Sequence, residues 1–469
     1  MRVIRNALRA AGSAAVALTL VLTAHQAPAL AAPSAEAVEA AAAGSLGTYE
    51  PVGPARLLDT RTGLGAPAGA VTDNQVLNLQ VGGRAGVPAT GVSAVVLNVT
   101  VTGPTLPGHL TVYPSGAAQP ATSNLNFVAG RTIANSVTVP VGAGGQVAIL
   151  HRGGSTHVIA DVTGYYLGVD DAAAGSYYFV TSPDRILDTR DPSFGGPLPG
   201  HSWVTLWLNF DPEFNAKIRA YAVNVTAVRP AANGHLTTWN GVGDPPNSST
   251  LNFVTNRTVP NMAIVPVGPC PPEYGCGNQP AIAVYNGSEL GTHVLIDIFG
   301  VYAEEDYGMR FQPIDPTRIA DTRVGLGAPA PLGPTTTATI TAPESVTTND
   351  TYALSMNVTA VKPTANTHVS VWPDEEGLPQ PTVSTLNPYA GETVPNAAIA
   401  EIGVESFAFN VYNHAGTINL VVDVAGRFDF VAPPLASGDV ARAGAQQAAG
   451  PVAPRVTVGG HQTHAASVN

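Results

Sequence analysis

The sequence is short of charge, of cysteine and of helical patterning, and each shortage excludes something. Charged residues make up 12% of the 469 residues, about half the usual share of a globular chain. The surface must therefore be built largely from Thr, Ser, Asn, Gly and Ala. What charge there is leans acidic, with a formal net charge of -12. A nucleic-acid partner needs a basic face for phosphate contacts and is not expected. Beyond the N-terminus no apolar run approaches the roughly 20 residues that cross a bilayer, so no membrane span is expected after leader removal. The two cysteines, Cys270 and Cys276, stand in "CPPEYGC". In an exported chain they read as a disulfide closing a small loop. A two-thiolate metal site is the alternative, but no histidine lies nearby in sequence to complete a tetrahedral set. No metal is expected.

The N-terminus supplies the reason to expect export. Arg2, Arg5 and Arg9 precede an apolar run from about Ala10 to Thr23, and Ala29-Leu30-Ala31 offers a small-residue cleavage pattern. Residues 1–31 read as a secretory signal peptide, with an anchoring helix as the alternative. The expected location is extracellular, secreted or associated with the cell wall.

The rest of the chain repeats itself. "RLLDTR" at 56–61 returns as "RILDTR" at 185–190 and "RIADTR" at 318–323. "LNVT" at 97–100, "SNLNF" at 123–127 and "DVTGYY" at 161–166 each have two later counterparts in the same order. Asp59, Asp188 and Asp321 are spaced by 129 and 133 residues, far more than a solenoid repeat, so each copy is a domain. Within a copy the runs alternate as strands do: in "AVVLNVTVT", Val95, Leu97, Val99 and Val101 share one face and Val96, Asn98, Thr100 and Thr102 the other. The expected fold is all-β: three tandem β-sandwich, jelly-roll-like domains after the signal peptide, over 48–168, 177–303 and 310–430. A trefoil built jointly by the copies is less favoured, since each is long enough to close its own core. The connectors at 168–176 and 303–308 predict a semi-rigid array, and the low-complexity tail 431–469 is expected to be disordered.

Two sets of repeated residues carry chemistry. The aspartates Asp59, Asp188 and Asp321, the DTR arginines Arg61, Arg190 and Arg323, and the closing-strand carboxylates Asp161, Asp297 and Asp423 are expected to form a structural polar clasp. In it the buried aspartate pairs with the DTR arginine, because an unpaired buried charge is costly. Ligand binding by those arginines is the sharper, less favoured reading. Asp59 with Asp161 could be cast as a glycosidase pair, but three tandem active sites would be unusual, and no enzyme is expected. Asp59, Asn98, Asn126 and Asp161 offer oxygens suited to calcium, without the compact loop that would gather them. No cofactor is expected, calcium remaining a minor alternative. His157 and His293 precede Asp161 and Asp297 by four residues, but Asn419 stands at that place in the third copy. The NVT sequons lie in predicted strands rather than loops.

The second set is the strand "HLTVYP", returning as "HLTTWN" and "HVSVWP". His109 and Tyr113, His235 and Trp239, and His368 and Trp372 project to one side of it. A polar face ending in an aromatic ring suits a sugar platform. A ring packed at the sandwich edge is the plainer reading of the same pattern.

The ordered run DTR, NVT, SNLNF, DVTGYY resembles a tandem repeat of secreted proteins from high-GC Gram-positive bacteria. The resemblance spans roughly residues 48–430, and the third copy departs from it at Pro388, Asn419 and Arg427. It implies export and a non-catalytic accessory or surface role, and it carries no assigned activity. The resulting expectation is a multivalent protein that binds cell-wall or environmental polysaccharide. A structural or adhesive surface protein that binds protein partners through sheet edges is second, and a polysaccharide hydrolase third.

Overall fold

The computed structural model describes residues 47–168, 176–277, 279–305, 307–431, 453 and 457–465. The expected signal peptide lies outside them. No helix among the described residues is long and apolar enough to cross a membrane.

The first copy contains β1 (Tyr49–Asp59), β2 (Val71–Thr72), β3 (Val76–Gln80), β4 (Val92–Thr102), β5 (Gly108–Pro114), β6 (Leu125–Phe127), β7 (Ile133–Pro140), β8 (Gln146–Arg152) and β9 (Ser155–Leu167). The second contains β10 (Tyr177–Asp188), β11 (Ser202–Asn209), β12 (Ile218–Val228), β13 (Gly234–Trp239), β14 (Leu251–Phe253), β15 (Val259–Pro266), β16 (Gly268–Pro269), β17 (Pro280–Asn286) and β18 (His293–Ala303). The third contains β19 (Gly308–Asp321), β20 (Thr336–Thr341), β21 (Thr351–Val361), β22 (Val369–Pro373), β23 (Thr393–Glu401), β24 (Ala408–Asn413) and β25 (Asn419–Val431).

In copy 1 the inner sheet runs β1-β9-β4-β7 and the outer sheet β3-β8-β5-β6. With β2 set aside as a short addition to β9, these are the strand orders 1-8-3-6 and 2-7-4-5 of a jelly roll, so the fold class is shown by connectivity. Copy 2 repeats both sheets, and copy 3 repeats the inner one with a three-stranded outer sheet. Each sandwich encloses a core of its own, as the alternation predicts: Val95, Leu97, Val99 and Val101 of β4 all lie in the first.

The copies are not a loosely strung array. A fourth core is shared among them: Tyr49 and Tyr166 from copy 1, Tyr178 and Tyr302 from copy 2, and Phe311 and Phe428 from copy 3 pack together. Their rings approach to 4.2 Å for Tyr166 and Phe311 and 4.4 Å for Tyr49 and Tyr302. The starts of β1, β10 and β19 pair in a closed circuit, through Tyr49 with Ser176, Tyr178 with Met309, and Phe311 with Gly47. The glycine of each closing motif makes room for this. A Cβ on Gly164, Gly300 or Gly426 would sit 2.0–2.2 Å from the side chain of Tyr49, Tyr178 or Phe311. The expectation of separately closed domains is therefore half right. Each copy closes its own core, and the second face of its inner sheet, where Ala94 and Val96 are apolar, is buried against its neighbours.

The tail also departs from expectation. Thr457–Ala465 forms β26, antiparallel to the outer edge of β11. Residues found only in copy 2 hold it. Trp203 stacks on His464 at 5.2 Å, Phe194 on His461 at 4.5 Å, and the Tyr274 hydroxyl lies 2.6 Å from His464 Nε2. Tyr274 stands inside the loop closed by the Cys270–Cys276 disulfide, which gives that staple a local purpose. Aromatic stacking on a sheet edge, rather than intrinsic strand preference, orders this Gly-rich segment.

Candidate functional site

The DTR turn is built the same way in each copy. Asp59 accepts the Arg61 backbone N–H at 3.0 Å and its guanidinium at 2.9 and 2.7 Å. Asp188 with Arg190 and Asp321 with Arg323 repeat the pattern. The Asp161 carboxylate, buried in β9, is paired with Arg56 at 2.9 Å and not with Arg61. Asp297 takes Arg185 at 2.7 Å and Asp423 takes Arg318 at 2.8 Å. This corrects the expected pairing: the first arginine of "RLLDTR" points into the sheet, and the second folds back on its own turn. The second arginine is held by the aspartate of its own turn, which leaves the closing-strand carboxylate to the first.

Burial pushes the Asp161, Asp297 and Asp423 carboxyls up, partly offset by those arginines. The hydrogen bond from Arg61, Arg190 or Arg323 holds Asp59, Asp188 and Asp321 down. Arg56 bridges the two carboxylates a glycosidase would need, contacting Asp161 at 2.9 Å and Asp59 at 3.4 Å. The middle residue of the motif is used as well. Thr60 lies 3.2 Å from His157, Thr189 3.1 Å from His293, and Thr322 donates to Asn419 at 3.3 Å. Histidine and asparagine serve alike there, as fasteners of the turn to the closing strand.

The asparagines of NVT reach out of their own copy. Asn98 accepts from Asn261 of copy 2, Asn224 from Asn396 of copy 3, and Asn357 from Asn135 of copy 1, each at 3.0 Å. Each also donates to a carbonyl of the neighbour's "SNLNF" stretch or its counterpart: Ser249, Ser384 and Ser123 in turn. These sequons are buried contacts between copies. Asn126 accepts from Ser123, so each of the four oxygen donors considered for calcium has a protein partner. Among the described residues no three His, Cys, Asp or Glu side chains gather as metal ligands.

The proposed sugar platform is overturned in its original form. Tyr113, Trp239 and Trp372 are 7, 3 and 8% exposed, and Thr111, Thr237 and Ser370 beside them are 1% exposed. The residues before "SNLNF" and its counterparts lie over this strand face and accept from its hydroxyls, as Thr122 does from Thr111 at 2.7 Å and Val383 from Ser370 at 2.6 Å. Alternation identified the face correctly but could not show that the same copy covers it. The histidines are different. His109, His235 and His368 are half-buried at the strand starts, and desolvation lowers the pKa of each.

His109 and His368 open into clefts between copies. One cleft, of ≈ 650 Å³, has Arg185, Arg190, Thr226, Arg229 and His293 of copy 2 on one wall and His368, Ser384 and Asn387 of copy 3 on the other. A second, of ≈ 940 Å³, has Arg318, Arg323, Thr359, Lys362 and Asn419 of copy 3 facing His109, Ser123 and Asn126 of copy 1. The two walls are the same positions, one copy further round. The DTR arginines, about half exposed, and the strand histidines meet only because the copies close on one another.

No family model matches the chain, and no curated protein does. Among solved structures it is similar to a chain from work on "The Triple Jelly Roll Fold and Turret Assembly in an Archaeal Virus", at 8% identity and a TM-score of 0.18, covering 83% of this chain and 91% of that one. A second, from "Life in the extremes: atomic structure of Sulfolobus Turreted Icosahedral Virus", has 9% identity and a TM-score of 0.16, covering 83% and 92%. The jelly-roll assignment rests on the strand order given above.

Proposed function

We propose that the protein is a secreted, non-catalytic, multivalent binder of extracellular polysaccharide, cell-wall polymer first, with its ligand seated in the clefts between copies. The observation behind this reading is the repeated wall pair, arginine and threonine from one copy facing histidine and asparagine from the next. These are planar or hydroxyl-bearing groups that hydrogen-bond saccharide hydroxyls, in cavities of a size that takes small ligands or polymer segments. Equivalent clefts on one rigid body would bind a polymer with avidity, so weak single sites suffice.

The test is co-sedimentation of the full chain with purified cell wall and a panel of insoluble polysaccharides. It runs beside a variant carrying His109→Ala, His235→Ala and His368→Ala, whose fold is checked by circular dichroism. Binding by the native chain and loss in the folded variant is the expected result. If the native chain sediments with no polymer, or the variant binds unchanged, the reading fails. A second reading, adhesion to protein partners through sheet edges, draws on β26 lying along β11 while β3 and β20 each pair on one side only.

A further inference from the structure

The turn that follows the NVT strand has one backbone conformation in all three copies, with positive φ: +62° at Gly103, +41° at Arg229 and +45° at Lys362. Glycine takes this region freely, whereas other residues do so rarely and at a cost of about 1–3 kcal/mol. Gly103 shows that glycine serves the turn. Turn geometry therefore explains the φ values and leaves unexplained why two copies place long cations there, one of them among the two lysines of the whole chain.

Both cations line the clefts, and both are exposed. Neither side chain has a hydrogen-bond or ion-pair partner among the described residues. The other cleft cations are neutralised: Arg185 and Arg190 by Asp297 and Asp188, Arg318 and Arg323 by Asp423 and Asp321. The wall around Arg229 includes no carboxylate. Around Lys362 the carboxylate is Glu392, whose two oxygens are held by Arg131 and Arg257. Arg229 also lines an adjoining cavity of ≈ 520 Å³ with Tyr389 and His414, so it stands where a ligand running from one cavity to the next must pass.

Building on the cleft reading, we infer that the ligand is anionic, a polyhydroxyl polymer bearing carboxylate or phosphate groups, with Arg229 and Lys362 each taking one anion. Both clefts carry this specificity, and the corresponding turn of copy 1, with Gly103, supplies no cation.

The experiment is calorimetric titration of the full chain at low ionic strength with oligogalacturonate for carboxylate, glycerol-phosphate oligomer for phosphate, and neutral dextran oligosaccharide as control. Native protein is expected to prefer at least one anionic probe, with two sites. Arg229→Ala with Lys362→Ala should weaken that probe about tenfold or more, and weaken neutral dextran by less. Equal affinity for neutral and anionic probes, or an alanine double variant within twofold of native, overturns the inference while the histidine variant still tests the clefts. No binding of any probe overturns both.

Discussion

Asn261→Ala is the sharpest structural perturbation available. Its side chain is 1% exposed and spans two copies, donating to Asn98 Oδ1 at 3.0 Å and Thr250 O at 2.6 Å and accepting from the Ser136 backbone N–H at 3.2 Å. Truncation leaves those three groups, all buried, without this partner. At about 1–3 kcal/mol for each unmet buried group, and with some relief from water entering the gap, the expected loss is about 3–5 kcal/mol. Urea denaturation should be followed by circular dichroism, which reports all copies, and by tryptophan fluorescence, which reports Trp203, Trp207 and Trp239 of copy 2 and Trp372 of copy 3. A closed circuit unfolds as one unit, so both probes should give the same midpoint, lowered together. A loss below about 1 kcal/mol, or two separated transitions of which only one moves, would refute the reasoning.

Three further outcomes follow from particular residues. Arg185→Met leaves the buried Asp297 carboxylate without its guanidinium and should cost about 3–5 kcal/mol by calorimetry, whereas Arg190→Ala, on a half-exposed pair, should cost less than about 1 kcal/mol. Burial, with the nearby Glu375 carboxylate, raises Glu401 from 4.5 to about 7. The folded chain thus holds this proton more tightly than the unfolded one. That stabilisation is full below pH 4.5 and is lost as pH rises through 7, so Glu401→Gln should match the native chain at pH 4 and exceed it at pH 8 by up to about 3 kcal/mol in denaturation. Gly460→Val would set a Cβ 2.5 Å from the Trp207 ring; hydrogen exchange should then accelerate at Ser202–Asn209 and leave the other edges unchanged.

Much of the fold was legible because each copy repeats a complete set of alternating strands. The faces of β4 were assigned correctly. What covers its second face was not, although Ala94 and Val96 there gave a signal: a strand apolar on both faces is covered on both. The aromatic residues closing each copy, Tyr166, Tyr302 and Phe428, were equally visible as a repeat. Their meeting was not, because period two gives a side chain's direction and never its distant partner. Arg56, Arg185 and Arg318 stood in the quoted motif, and Asn135, Asn261 and Asn396 recur at one place in each copy, yet their partners lie across the sheet or in another copy. At Tyr113 the same limit acted in reverse, since a local loop hides a face that alternation left open. The tail strand was illegible in composition, because Trp203, Trp207 and Tyr274 order it from outside.

The most direct measurement is hydrogen-exchange footprinting of the full chain with and without a bound anionic oligosaccharide. The account predicts paired protection across a copy boundary: residues 185–190 and 226–229 of copy 2 together with 366–368 and 384–387 of copy 3, and the matching pair between copies 3 and 1. Protection confined to one copy, or centred on Tyr113, Trp239 and Trp372 with the clefts unchanged, would contradict it.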